Sequence, residues 1–256
     1  MTAFKLAGRG GAQKNLYPDE VAMVFMTAAA LYLLIGMRLQ TWNLALGLPL
    51  SQFLILAGLP ILYLKITNRK LLEVMSFKMP PLKISLLAIL SVPAFIVLGA
   101  HLKWLCKIIG IQSAEDGAGD VVAMLLGDHK LFITILIVAV TPAICEEILF
   151  RGVMLNGLKK FSLPLILVVE GVLFAGMHMS LANFPVLALM GAFMAYLVIC
   201  SGSIGVSMIF HVLNNGLAVF LGYLVSENYW IESEVENFVM HKLTFIVSLV
   251  IVFVVI

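Results

Sequence analysis

The feature that most constrains this chain is its succession of apolar runs, each roughly 17–25 residues long. A helix of that length crosses a hydrocarbon core of about 30 Å. Eight such runs can be read, near 21–37, 44–66, 82–102, 131–156, 163–178, 184–200, 204–225 and 241–256. A backbone in lipid must satisfy its own N–H and C=O groups, so runs of this length are predicted to be helices rather than open strands. The expected fold is all-α: one polytopic integral membrane domain over residues 1–256. With 62% hydrophobic and 12% charged residues, the chain lies outside the soluble globular range. A formal charge of +2, and no basic stripe with interleaved aromatics, argue against nucleic acid as a partner. The lipid bilayer is the partner that composition implies.

Between the third and fourth runs lies the longest connection, roughly 103–130. It reads as an interfacial amphipathic piece, "HLKWLCKIIG", followed by a loop containing "SAEDGAGD". The run from Val21 to Met37 superficially resembles a secretory signal, but "RLQTWN" follows it in place of a small-residue cleavage site, so a retained helix is expected. Basic residues favour a cytoplasmic N-terminus. That orientation puts Lys5, Arg9, Lys14, Lys65, Arg69, Lys70, Lys78, Lys83, Lys159 and Lys160 inside, and Arg38, Lys103, Lys107, Lys130 and Lys242 outside. The acidic segment "SENYWIESEVENF" also falls outside. Cys106, Cys145 and Cys200 stand far apart and read as structural thiols.

Against this apolar background the segment "TPAICEEILFRGVML" (141–155) is anomalous. A charged group at the centre of a spanning helix costs about 2.5–3.5 kcal/mol on insertion scales, which makes such groups functional candidates. Glu147 and Arg151 stand four apart, share a face and can pair, with the acid N-terminal to the base. Glu146 is turned by roughly 100° from Glu147 and lacks that partner. A packing network explains Glu147 and Arg151 as well as a functional role does, but it explains Glu146 less well. Two later runs each bring in a histidine: "FAGMH" holds Phe174 and His178, and "HVLNN" holds His211 and Asn215. A lone intramembrane histidine is often a hydrogen-bonded packing residue. Two histidines, an amide and a free carboxylate on three helices make better sense as one site. At about 1.5 Å per residue, Glu146, His178 and His211 lie around 15, 20 and 10 Å from the cytoplasmic ends of their runs. A cavity opening toward the cytoplasm is therefore expected.

The chemistry of such a set is hydrolytic. A carboxylate and a neighbouring imidazole can hold and deprotonate a water, while a second imidazole and an amide can stabilise the oxyanion formed when that water attacks a carbonyl. No serine, threonine or cysteine is placed as a nucleophile, and Cys145 reads as a packing residue. Glu170 shares the stripe of Phe174 and His178 and reads as structural or gating. Gly191 and Ala195 form a small-xxx-small pair, which suggests a close helix contact.

"EEILFR" fits EExxxR, "FAGMH" fits FxxxH and "HVLNN" fits HxxxN, in that order and each on its own apolar run. On these three motifs the chain resembles the CAAX-protease and bacteriocin-processing family, also called the Abi family, which is related to the Ras-converting prenyl-protein endopeptidases. The resemblance covers residues 120–225 as a catalytic core. It implies about eight transmembrane helices around a conical polar cavity, and an intramembrane, glutamate-dependent endopeptidase. Glu146 would be the general base, His178 would help to bind the water, and His211 and Asn215 would form the oxyanion site. Glu147, Arg151 and Phe174 would support them. Between these motifs, the spacing selects Asn215 over Asn214. The implied partner is a peptide or lipidated protein, either a prenylated CAAX-type tail or a leader or bacteriocin-type peptide, met from the cytoplasmic side. The implied location is a bacterial cell membrane, or the endoplasmic reticulum in a eukaryote. HExxH, the helical zinc signature, is absent from the sequence. No cofactor is expected, with zinc held by the same residues as the alternative. A non-catalytic scaffold or a transporter is the remaining reading, although neither the interrupted helices nor the paired repeats of ion-coupled carriers can be read in the sequence.

Overall fold

The computed structural model describes residues 16–111, 118–227, 237 and 240–255. Among these the fold is all-helical. We label the helices α1 (Pro18–Trp42), α2 (Leu44–Ile66), α3 (Leu82–Ile108), α4 (Ala118–Asp128), α5 (Leu131–Leu158), α6 (Leu163–Met177), α7 (Phe184–Ser201), α8 (Ile204–Ser226) and α9 (Lys242–Val255). A single turn, Leu71–Val74, lies between α2 and α3. All eight apolar runs are helical, but six helices have the length and composition to cross a membrane: α1, α2, α3, α5, α7 and α8. At 15 residues α6 reaches only about 22 Å, short of the hydrocarbon core, and the described part of α9 holds 14 residues. The expected count of eight spans is therefore not reproduced, because composition marks apolar runs while length decides which of them can cross. The chain is a multi-pass integral membrane protein.

The stretch 103–130 departs from expectation. Helix α3 continues to Ile108, and Ala118–Asp128 is helical where a loop was expected. The apolar "VVAMLL" supplies the reason, since Val122 packs at the position of Gly222 on α8 and gives the helix a surface to rest on. Lys5, Arg9 and Lys14, most of "SAEDGAGD" and most of "SENYWIESEVENF" lie outside the described residues.

Two ends of the bundle are defined by contacts. At one end, the Asn156 side chain accepts from the Leu16 backbone N–H at 2.7 Å and donates to the Val74 carbonyl. Arg69 pairs with Glu20 at 2.9 Å, and the Ser203 hydroxyl donates to the Lys78 carbonyl. The start of α1, the α2–α3 connection, the end of α5 and the start of α8 thus meet there. The α1–α2 and α6–α7 connections lie at the opposite end.

Aromatic contacts fill the centre. Phe95 of α3, Phe193 of α7 and Phe210 of α8 form a trio with ring centroids 4.7–5.1 Å apart. Phe150 of α5 lies edge-on between Phe25 of α1 and Phe174 of α6. Helices α6 and α7 cross at close range because Gly171 meets Gly191: a Cβ on Gly171 would fall 2.4 Å from the Ala188 carbonyl oxygen. Gly191, singled out in the sequence as a contact residue, lies at that crossing.

Candidate active site

Helix α5 carries the acidic pair. It is not a regular α-helix, since π-type turns occupy Leu136–Val140 and Ile148–Met154 on either side of Thr141–Glu147. Pro142 has no N–H to offer the carbonyl of Val138 four residues earlier. Asn215 of α8 takes that carbonyl instead, donating from Nδ2 at 3.3 Å. A local backbone defect on one helix thereby orients an amide on another.

Glu147 and Arg151 pair as their spacing predicts, at 3.1 Å and fully buried. The same Glu147 oxygen, Oε1, lies 3.0 Å from His211 Nδ1. A carboxylate oxygen accepts, so Nδ1 of His211 carries the proton and donates. Nε2 of His211 then points toward Glu146 Oε2, 3.9 Å away. Arg151 also donates to the Gly191 carbonyl at 2.7 Å and lies over the Phe174 ring at 4.8 Å, with Glu170 Oε2 3.8 Å from its Nε. Glu170 is buried on the far side of Arg151 and does not line the cavity.

His178 ends α6. Its backbone N–H turns back to Ala175 at 3.1 Å, leaving the Phe174 carbonyl open, and the imidazole Nδ1 donates there at 2.8 Å. With Nδ1–H committed, Nε2 of the neutral ring is the accepting nitrogen. Met179 follows with φ +50°, a left-handed conformation for a residue other than glycine, and turns the chain sharply toward α7. Phe174 packs against the rings of both His178 (4.8 Å) and His211 (5.9 Å).

A cavity of about 400 Å³ opens beside these groups. Glu146, His178 and Asn215 line it, together with Gln52, Ser180 and Asn183; much of the remaining wall is apolar, including Leu48, Leu56, Phe150 and Leu187. His211 stands behind Glu146, buried, rather than on the cavity wall. Asn214 is turned away, with its amide 3.6 Å from Met190 Sδ, so Asn215 is the asparagine presented to the cavity. Of the residues singled out in the sequence, then, Glu146, His178 and Asn215 share one space. Glu147, Arg151, His211 and Phe174 form the layer beneath, and Glu170 lies beyond it.

Sequence reasoning missed Gln52 on α2. Its Nε2 donates to Glu146 Oε1 at 2.9 Å, so Glu146 is not the partnerless acid that its position on α5 suggested. An amide inside "LSQFLIL" was the available signal, since polar side chains in spanning helices are costly without a partner. Ser180 and Asn183, in the α6–α7 connection, were also missed.

The location of the cavity corrects a further expectation. It is bounded by Met37 and Gln40 near the end of α1, Leu48 near the start of α2, and Met177, Met179, Ser180 and Asn183 around the end of α6. That is the end opposite Leu16, Arg69 and Asn156. A cytoplasmic N-terminus and a cytoplasmic cavity mouth therefore cannot both hold. Depth along each helix placed the groups near one another, but the side on which neighbouring helices part decides the mouth.

Fold and site together define a class: a polytopic helical membrane protein with carboxylates and imidazoles gathered at an intramembrane cavity. Residues 128–217 match a family described as type II CAAX prenyl endopeptidase Rce1-like, and this stretch runs through α5 into α8 and holds all three motifs. The match is consistent with the CAAX-protease and bacteriocin-processing resemblance, and the Rce1-like family implies a protease. No curated protein and no solved structure matches the chain.

Proposed function

We propose that this protein is a glutamate-dependent intramembrane endopeptidase in which Glu146 activates water. The observation that carries the reading is the division of labour at Glu146. One oxygen is held by Gln52, and the other is buried without a hydrogen-bond partner, 3.9 Å from His211, in a residue that lines a cavity shared with His178 and Asn215. A water between Glu146 and the accepting Nε2 of His178 gives its proton to the Glu146 carboxylate, and its oxygen attacks the scissile carbonyl. Asn215, whose Nδ2 keeps a second hydrogen beyond the one given to Val138, donates to the oxyanion. His211, whose Nδ1 donates to Glu147, turns its Nε2 toward the Glu146 carboxylate from behind the cavity wall. Glu146 then passes its proton to the leaving nitrogen as the C–N bond breaks, yielding a carboxylate and an amine.

The apolar wall suits a peptide with an apolar or lipid-bearing segment, so the substrate class is a prenylated CAAX-type tail or a leader or bacteriocin-type peptide. No resident metal takes part in this scheme. The alternative is a zinc peptidase in which the same residues hold the metal. The test uses purified protein in lipid nanodiscs and fluorogenic peptides with and without a prenyl group. Glu146→Ala is expected to lower kcat at least about 100-fold, and His178→Ala about 10-fold or more, with unchanged melting temperature. Turnover should persist in a metal chelator. Full turnover in both variants would overturn the assignment, and chelator-sensitive turnover restored by zinc would favour the metalloprotease.

A further inference from the structure

We propose that Gln52 is a positioning residue that holds the Glu146 carboxylate in the orientation it needs to act as the base. The inference rests on Glu146 acting as the base. Gln52 lies on α2, outside the stretch that matches the protease family, and is 3% exposed. Its Nε2 donates to Glu146 Oε1 at 2.9 Å, while its own Oε1 has no hydrogen-bond partner. A carboxamide nitrogen bears hydrogens and no available lone pair, so it faces a carboxylate oxygen only as a donor. The bond takes up one lone pair of Oε1 and so sets the direction in which the carboxylate faces. Oε2, itself buried, is held on the side facing His211 Nε2. The amide also fixes the carboxylate plane without adding charge to a site that already holds Glu146, Glu147 and Arg151. A glutamate in its place would compete for the proton, and an apolar side chain would leave the carboxylate free to turn.

The surroundings hold Gln52 in place for this task. It begins the π-type turn Gln52–Ala57 of α2, and that turn packs against Thr141–Glu147 of α5. Beside it on the cavity wall, Gln40 donates from Nε2 to the Tyr32 hydroxyl at 3.0 Å and to Ser51 Oγ at 3.1 Å. The first two spans, which carry none of the three motifs, thus complete the site rather than merely enclosing it.

Two variants test the inference in the same nanodisc assay. Gln52→Met keeps length and apolar packing but removes the donor. Its kcat is expected to fall about 10–100-fold with KM held within about twofold. Gln52→Glu restores a donor only while the new carboxyl is protonated. It should recover most of the lost turnover near about pH 5 and fall back to the Gln52→Met level near about pH 8, relative to wild type at each pH. A merely structural amide predicts no such pH-dependent rescue. Wild-type kcat in Gln52→Met, a loss confined to KM, or a Gln52→Glu profile parallel to wild type would overturn the inference; if Gln52→Met does not fold, the Gln52→Glu profile decides. The outcomes separate from those of the functional reading. An active wild type and a dead Glu146→Ala with unimpaired Gln52 variants refute only the role of Gln52, whereas a turnover unaffected by Glu146→Ala removes its basis.

Discussion

Arg151 is fully buried and faces two carboxylates, Glu147 at 3.1 Å and Glu170 at 3.8 Å. Its charge is also spread over the Gly191 carbonyl and the Phe174 ring. Four helices therefore meet on one guanidinium: α5 holds it, α6 contributes Glu170 and Phe174, α7 contributes Gly191, and α8 joins through His211 on Glu147. Removing a buried ionic partner costs more than the pair is worth, because the remaining charge is stranded; about 3–5 kcal/mol is usual. Arg151→Met is accordingly expected to lower the melting temperature in detergent sharply. Adding Glu147→Gln should recover part of that loss by removing one stranded charge. No recovery in the double variant would show that Glu147 is not the carboxylate that needs the guanidinium. Of this layer, the sequence made the Glu147–Arg151 pair legible, since a spacing of four on one helix is a local property. Gln52 on Glu146 and His211 on Glu147 were not legible as pairs, because 94 and 64 residues separate the partners.

At the scale of elements, the site depends on helices that deviate from regularity. Pro142 withholds an N–H from Val138, and Asn215 uses the freed carbonyl. His178 caps α6 with its own imidazole, which fixes the ring nitrogen left to face the cavity. Pro142→Ala would return a helical partner to the Val138 carbonyl and release the Asn215 amide. The expected result is a protein of equal or higher thermal stability whose kcat is reduced about tenfold or more, as for the loss of an oxyanion donor. A variant with unchanged kcat would show that Asn215 is held by other contacts. The motifs themselves were legible, because each falls on a single apolar run. The π-type turns were not, since hydropathy records which residues are apolar and not how the backbone bonds around a proline. Helix α4 escaped for a related reason: its stability comes from packing on α8, and an eleven-residue apolar segment beside glycine and aspartate reads equally well as a loop.

At the scale of the whole molecule, charge and cavity lie at opposite ends. Among the described residues, Lys65, Arg69, Lys70, Lys78, Lys83, Lys159 and Lys160 gather at the end where Asn156 binds the Leu16 backbone, while Arg38, Lys103, Lys107, Lys130 and Lys242 lie toward the cavity mouth. By the positive-inside rule the end with the basic excess is expected on the cytoplasmic side, so the mouth is expected to face away from the cytoplasm and the substrate to be met there. Such a direction favours exported leader or lipid-bearing peptides over tails that never leave the cytoplasm. Cysteine labelling decides the matter. In a variant with Cys106, Cys145 and Cys200 replaced by serine, Lys130→Cys should react with a membrane-impermeant maleimide on intact cells. Lys70→Cys should react only after permeabilisation. The reverse pattern would turn the bundle over and place the mouth in the cytoplasm against the charge bias. The fold and the proposed chemistry at Glu146 would survive, because both are set by contacts within the bundle, whereas the source of the substrate would change.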